Sequence, residues 1–138
     1  MARTVAEVMT RDPAAIEAEQ PVSVAAALMR DNDAGAVIVN DNGRVLGIVT
    51  DRDIAVRVVA DDKDPRTPVR EACSADVEAV GPDTSIEQAV QLMRAHAVRR
   101  LPVVEDGRAV GIVSIGDLAM ERDSDSALAD ISAAEGNR

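Results

Sequence analysis

Apolar residues along the chain fall into helix-like and strand-like patterns, and the whole succession occurs twice. From Val22 to Asn32 the apolar positions Ala25, Leu28 and Met29 recur at i, i+3 and i+4. This predicts a helix with one buried stripe, and Pro21 stands where a helix can begin without losing a hydrogen bond. Ala36 to Val39 and Val45 to Val49 are short apolar runs on either side of Asn42-Gly43, a two-residue hairpin signal. The helix after them carries Ile54, Ala55, Val58 and Val59 as its predicted apolar face. Ahead of these elements, Thr4 with Glu7 reads as a capping box for a short helix, and Ala14 to Ile16 reads as a short strand after Pro13.

Asp61-Asp62-Lys63-Asp64-Pro65 is a charged break, after which the pattern returns. Thr67-Pro68 reads as a cap followed by proline, and Val77 to Val80 as a strand. Thr84 with Glu87 predicts a capping box for a helix from Ser85 to Ala97, with Ile86, Ala89, Val90, Leu92 and Met93 on its apolar side. Leu101-Pro102-Val103-Val104, the turn Asp106-Gly107 and the run Ala109 to Val113 make a second hairpin, and Leu118, Ala119 and Met120 lie on a last helix.

Setting residue n against n+64 needs no gap from Val5 to Ala55, and sixteen of those 51 pairs are identical, among them Leu28/Leu92, Met29/Met93, Gly47/Gly111 and Asp53/Asp117. An ungapped match of this length is a duplication. The expected organisation is a first repeat over residues 1–64 and a second over 65–122. A polar tail over 123–138, helical or disordered, follows them. Only the last two strands of each repeat are joined by a tight turn, so the sheet is expected to be mixed and the fold class α/β.

The duplicated hairpins end in the same chemistry. Gly47-Ile48-Val49-Thr50-Asp51-Arg52-Asp53 and Gly111-Ile112-Val113-Ser114-Ile115-Gly116-Asp117 each run a strand into a hydroxyl residue with an aspartate three positions on. That is a strand leading into a helix N-terminus, where free N–H groups and the positive end of the dipole suit an anion. A hydroxyl cap and an acid in the first turn can equally do no more than satisfy those N–H groups. The two roles are compatible, and the repetition favours a ligand site.

Composition narrows the classes. The net charge of −10 argues against nucleic acid and anionic membrane as partners. The chain has no Phe, Tyr or Trp, so its core must come from aliphatic residues. The single cysteine, Cys73, has no Cys or His at ligand spacing, forms no intramolecular disulfide and fits a cytoplasmic setting as a small buried hydrophobe. The first residues carry no long apolar run of a signal peptide, and no stretch approaches a membrane span.

The two Gly-apolar-apolar-Thr/Ser-x-x-Asp motifs, Arg99-Arg100-Leu101-Pro102-Val103-Val104, the opening Val5-x-x-Val8-Met9-Thr10-x-x-Pro13 and the duplication together resemble a pair of CBS domains, the Bateman module. The resemblance spans Val5 to Met120. It implies two repeats packed with pseudo-twofold symmetry, a homodimer, and clefts that bind AMP, ADP, ATP or S-adenosylmethionine. It assigns the ribose hydroxyls to Asp53 and Asp117, with Thr50 and Ser114 near ribose or phosphate. An adenine would lie against Thr10, Pro13, Ala14, Ile16 and Val37 in one site and Ser74, Val77, Glu78, Val80 and Leu101 in the other. Arg99 and Arg100 could pair with phosphate at the second motif, whereas the first repeat has Gly35 and Ala36 there, and Asp51 adds a carboxylate. The second motif is therefore the expected anion site. His96, at a helix end, is expected to be exposed or to interact with the dipole.

The preferred reading is a non-catalytic regulatory module that binds an adenosyl ligand and acts through its dimer or an effector protein. The alternative is an interaction module with empty clefts. An enzyme ranks below both, since the sequence holds no phosphate loop, no Cys-His or Ser-His-Asp set and no metal cluster.

Overall fold

The computed structural model describes residues 3–74 and 78–122. Two short 3-10 turns, Val5–Glu7 and Val69–Glu71, accompany ten elements. These are β1 (Thr10–Arg11), β2 (Ala15–Glu17), α1 (Val22–Asn32), β3 (Ala36–Asp41), β4 (Arg44–Thr50), α2 (Asp51–Ile54), α3 (Ile86–His96), β5 (Arg100–Glu105), β6 (Arg108–Ser114) and α4 (Ile115–Arg122). A π-helical turn, Ala55–Val59, continues α2.

Among the described residues the chain forms two compact units, each drawing on both repeats. One holds residues 14–74, the other residues 3–13 and 78–122. In the first, the Val69 N–H donates to the Gln20 carbonyl and the Val22 N–H to that of Thr67. In the second, the Val5 N–H donates to Thr84 and the Ile86 N–H to Arg3. These bonds are the same pair displaced by 64 residues. The opening turn of each repeat thus supplies an acceptor to an orphan N–H at the start of the other repeat's helix. Val5 and Val69, both fully buried, enter the cores by the same route.

Each unit has a three-stranded sheet. In the 14–74 unit the order is β2-β3-β4, with β2 parallel and β4 antiparallel to β3, the mixed arrangement expected. In the other the order is β1-β6-β5, antiparallel throughout, with a parallel bridge from Val80 to Val103. Ladder irregularities fall at Val39/Asn40 and Val103/Val104, one repeat apart. Both hairpins turn on two residues of positive φ, Asn42-Gly43 and Asp106-Gly107, as the turn chemistry requires. β1 crosses β6 so closely at Gly111 that a Cβ there would lie 2.9 Å from the Thr10 carbonyl oxygen and strike the Met9 sulfur.

The cores are aliphatic. Ile16, Val22, Met29, Val37, Val49 and Val69 are among the buried residues of the 14–74 unit; Val5, Val80, Ile86, Met93, Leu101 and Leu118 are among those of the other. Several local expectations need correction. The α3 cap is Ser85 with Gln88, not Thr84 with Glu87, because the Thr84 hydroxyl accepts the Gly81 N–H and its carbonyl accepts that of Val5. Thr67 is no cap either: its hydroxyl donates to the Asp64 carbonyl, and Pro68 precedes the turn. Ala55 and Val59 face solvent, Val59 at 70% exposure, since the wider π turn breaks the 3.6-residue period and leaves Val58 as the buried residue. At the first turn the Glu7 carboxylate accepts the N–H groups of Arg3 and Thr4, which lower its pKa. The tail, 123–138, lies outside the described residues.

Two outcomes follow. A fragment of residues 14–77 keeps Val69, Ala72 and Cys73 in its core, whereas residues 1–64 lose all three. Burial of one such side chain is worth about 1.5–3 kcal/mol, so thermal unfolding followed by circular dichroism should show a clearly higher midpoint for 14–77. The second concerns Cys73, whose thiol burial pushes up. Its folded pKa lies above the unfolded one, so its contribution to stability is full below the unfolded pKa and fades as pH rises through the folded value. Alkylation at neutral pH should be at least tenfold slower in the native protein than in urea.

Candidate functional site

β4 delivers the chain to Thr50 and β6 delivers it to Ser114, and each hydroxyl residue closes a reciprocal pair with its aspartate. The Asp53 N–H donates to the Thr50 Oγ1 at 3.0 Å while the Thr50 N–H donates to the Asp53 Oδ2 at 2.9 Å. In the other unit the Asp117 N–H donates to the Ser114 Oγ at 3.2 Å and the Ser114 N–H to the Asp117 Oδ2 at 2.9 Å. The capping role is therefore real at both motifs. It uses one oxygen of each carboxylate and leaves the other, Oδ1, for further partners. An ionised carboxylate is a pure acceptor, so these oxygens suit a hydroxyl-bearing ligand.

The free N–H groups expected at these turns are mostly taken. The Asp51 N–H donates to the Gly35 carbonyl at 3.0 Å, and the Ile115 N–H to that of Arg99 at 2.8 Å. The next N–H separates the motifs. That of Arg52 donates to the Asp51 Oδ1 at 2.8 Å, whereas position 115 is isoleucine and the Gly116 N–H has no partner among the described residues. The first motif is capped by its own extra acid; the second keeps one donor open.

Arg100 lies opposite Ser114 in the β5–β6 ladder, and Arg99 precedes it, so both are anchored next to the second motif. Neither guanidinium has a polar partner among the described residues. Thr10 belongs to the same unit, opposite Ile112, two residues before Ser114. Ser74 is its repeat counterpart and pairs with Ile48, two residues before Thr50. The sequence reading set Thr10 with Pro13, Ala14, Ile16 and Val37, and Ser74 with Val77, Glu78, Val80 and Leu101. Because the opening segments are exchanged, Thr10 joins Ser114 and Asp117 in one unit, and Ser74 joins Thr50 and Asp53 in the other.

Ile16, Val37, Val80 and Leu101 have their side chains in the two cores. Ala14 and Pro13 are half-buried, and the Ala14 carbonyl accepts the Ile38 N–H. Glu78 is exposed, with its carboxylate 3.7 Å from the His96 Nε2. Val77 lies outside the described residues.

One residue that the sequence reading passed over stands beside the first motif. The Arg57 Nη1 donates to the Ala72 carbonyl at 3.0 Å, lies 3.5 Å from the Ser74 Oγ, and is 4.0 Å from the Asp53 Oδ1. Its spacing of four from Asp53 on a helix was the available signal. Among the described residues no group of three or more His, Cys, Asp or Glu assembles for a metal, and no helix is long and apolar enough to cross a membrane.

The CBS domain family matches residues 5–60 and 69–123. A CBS domain-containing protein of Bacillus subtilis, YhcV, is 41% identical over 133 residues, 94% of this chain and 95% of that protein. Hypoxic response protein 1 of Mycobacterium tuberculosis is 34% identical over 118 residues, 84% of this chain and 82% of that protein. Among solved structures, a protein with CBS domains from Burkholderia ambifaria superposes with a TM-score of 0.80 at 34% identity, covering 89% of this chain and 96% of its own. A hexameric CBS-CP12 protein from bloom-forming cyanobacteria gives 0.79 at 28% identity, covering 89% and 70%. The duplicated strand-to-helix motifs, the two sheets and these matches agree: the chain belongs to the CBS domain family and carries a tandem pair of its repeats.

Proposed function

We propose that the protein is a non-catalytic regulatory module that binds an adenosyl ligand such as AMP, ADP, ATP or S-adenosylmethionine at its two strand-to-helix turns. The observation that carries this reading is the half-used carboxylate. At both motifs one aspartate oxygen is fixed by the cap, and among the described residues no donor comes within hydrogen-bond distance of the other, the Arg57 Nη1 standing 4.0 Å from that of Asp53. A cap alone needs only one oxygen, and a ribose diol brings two donors for the other. The Gly116 N–H, Arg99 and Arg100 beside the second motif, none of them partnered among the described residues, add donors for a phosphate.

Asparagine at position 117 separates capping from recognition. Its amide oxygen can still accept the Ser114 N–H, but the ligand-facing atom becomes a donor. Asp117→Asn should therefore keep its melting temperature within a few degrees and lose roughly tenfold or more in adenosine nucleotide affinity at that site, read by calorimetric titration. Unchanged affinity with intact folding would sink the ribose assignment. The protein lacks Trp and Tyr. A band near 260 nm in the native preparation, after removal of nucleic acid, would thus report a co-purified ligand directly.

Output goes through self-association or an effector protein. Val56 on the helix after the first motif and Met120 on the helix after the second are one repeat apart, and both are exposed, at 46% and 38%. Val59 and Ile115 are exposed as well, at 70% and 55%. Beside Val59, an open groove of about 460 Å³ runs along α1 and α2, lined by Val22, Ala26, Ile54 and Val58. Exposed apolar side chains of this size suit an interaction face, and the cyanobacterial CBS-CP12 relative is hexameric. The wild type should sediment as a dimer, and Val56→Lys combined with Met120→Lys should sediment as a monomer. A monomeric wild type would refute this route.

A further inference from the structure

We propose that Arg57 is the anion-pairing residue of the first motif, so that the Thr50–Asp53 turn also accepts a phosphorylated ligand. This rests on the adenosyl reading above and extends it. The strand start that gives the second motif Arg99 and Arg100 gives the first only Gly35 and Ala36. A cation reaches the first motif from another direction. Arg57 lies in the middle of the π-helical turn Ala55–Val59, about one turn beyond Asp53. Its repeat counterpart is Glu121, so the cation is particular to this site.

The placement is held from two sides. The Nη1 donates to the Ala72 carbonyl and stands beside the Ser74 hydroxyl, and the Asp53 Oδ1 is 4.0 Å away. These contacts use one nitrogen. The Nε and Nη2 have no partner among the described residues, and the side chain is 46% exposed. The guanidinium is thus fixed in position with donors still open, the arrangement a charge-assisted contact needs.

The nearby acids do not cancel it. The Asp51 carboxylate is turned onto the Arg52 N–H, and the Asp53 carboxylate has one oxygen in its cap. The two groups are close together, with the Nη1 4.0 Å from the Asp53 Oδ1, so one nucleotide can present its ribose hydroxyls to the carboxylate and its phosphate to the open donors of the guanidinium. Asp53 then takes the diol while Arg57 takes the phosphate, with Ser74 alongside.

The test compares adenosine with AMP, both titrated into the full chain carrying Asp117→Asn to silence the second motif. Arg57→Gln should lower AMP affinity roughly tenfold and leave adenosine within about twofold. Arg57→Lys should recover part of the loss. Raising salt should weaken AMP binding in the parent and much less in Arg57→Gln. Equal weakening of both ligands would mean that Arg57 only tethers the Ala72–Ser74 segment, and the proposal would fall. No change in either ligand would overturn it as well. If the Asp117→Asn parent binds neither ligand while the unmodified chain binds both, ligand enters only at the second motif and the assignment to Arg57 is wrong. If the unmodified chain binds neither, the adenosyl reading itself fails and takes this inference with it.

Discussion

The structure depends on an exchange of backbone acceptors. A helix begins with N–H groups that have no partner inside it, and burying them unpaired costs more than most single contacts return. Here the Val22 N–H at the start of α1 is satisfied by Thr67, and the Ile86 N–H at the start of α3 by Arg3. Both acceptors belong to the other repeat. The same segments bring Val69 and Val5 into the cores, and Ser74 and Thr10 to the strands that feed the two motifs. A ~60-residue repeat buries too little surface to be comfortable alone. Borrowing thirteen or so residues from its twin adds core, caps and one side of a candidate site in a single step.

Much of this was legible in the sequence, for identifiable reasons. The duplication, α1, the hairpins and the hydroxyl–aspartate pairs are local signals: a period, a turn dipeptide, a spacing of three. What local signals cannot carry is which twin a segment joins. The ungapped match of Thr10 with Ser74 is equally consistent with either assignment; the structure sets Thr10 in the unit of Ser114 and Asp117, and Ser74 in that of Thr50 and Asp53. Thr84 and Ser85 are adjacent hydroxyls, and either could cap α3. The choice fell to Ser85 because the Thr84 hydroxyl is claimed by Gly81. Val59 was misplaced because the π turn abandons the period on which the reading relied. Arg57 was missed because its significance lies in two contacts, Ala72 and Ser74, that come from the exchanged segment.

The capping role and the binding role of the aspartates need not compete. The cap fixes the rotamer of Asp53 and Asp117 by a pair of hydrogen bonds, each worth about 1 kcal/mol, and orients the remaining oxygen in advance. A ligand then meets an acceptor whose side-chain entropy has already been lost in folding, so less of the interaction is spent on ordering it. The structural reading of the motif is in this sense the precondition of the functional one.

The twins also differ in the groups around that shared carboxylate. Ile115 and Gly116 leave an N–H open where Asp51 closes the corresponding one, and Arg99 and Arg100 replace Gly35 and Ala36. Arg57 stands where the second repeat has Glu121. Positions that make the fold (the Val5/Val69 turn, the Gly47/Gly111 strand and the Asn42-Gly43 and Asp106-Gly107 turns) hold the same or similar residues. The cations thus sit at a strand start beside one motif and on a helix beside the other. The capped carboxylate is common to both motifs, and the polar groups around it differ from one motif to the other.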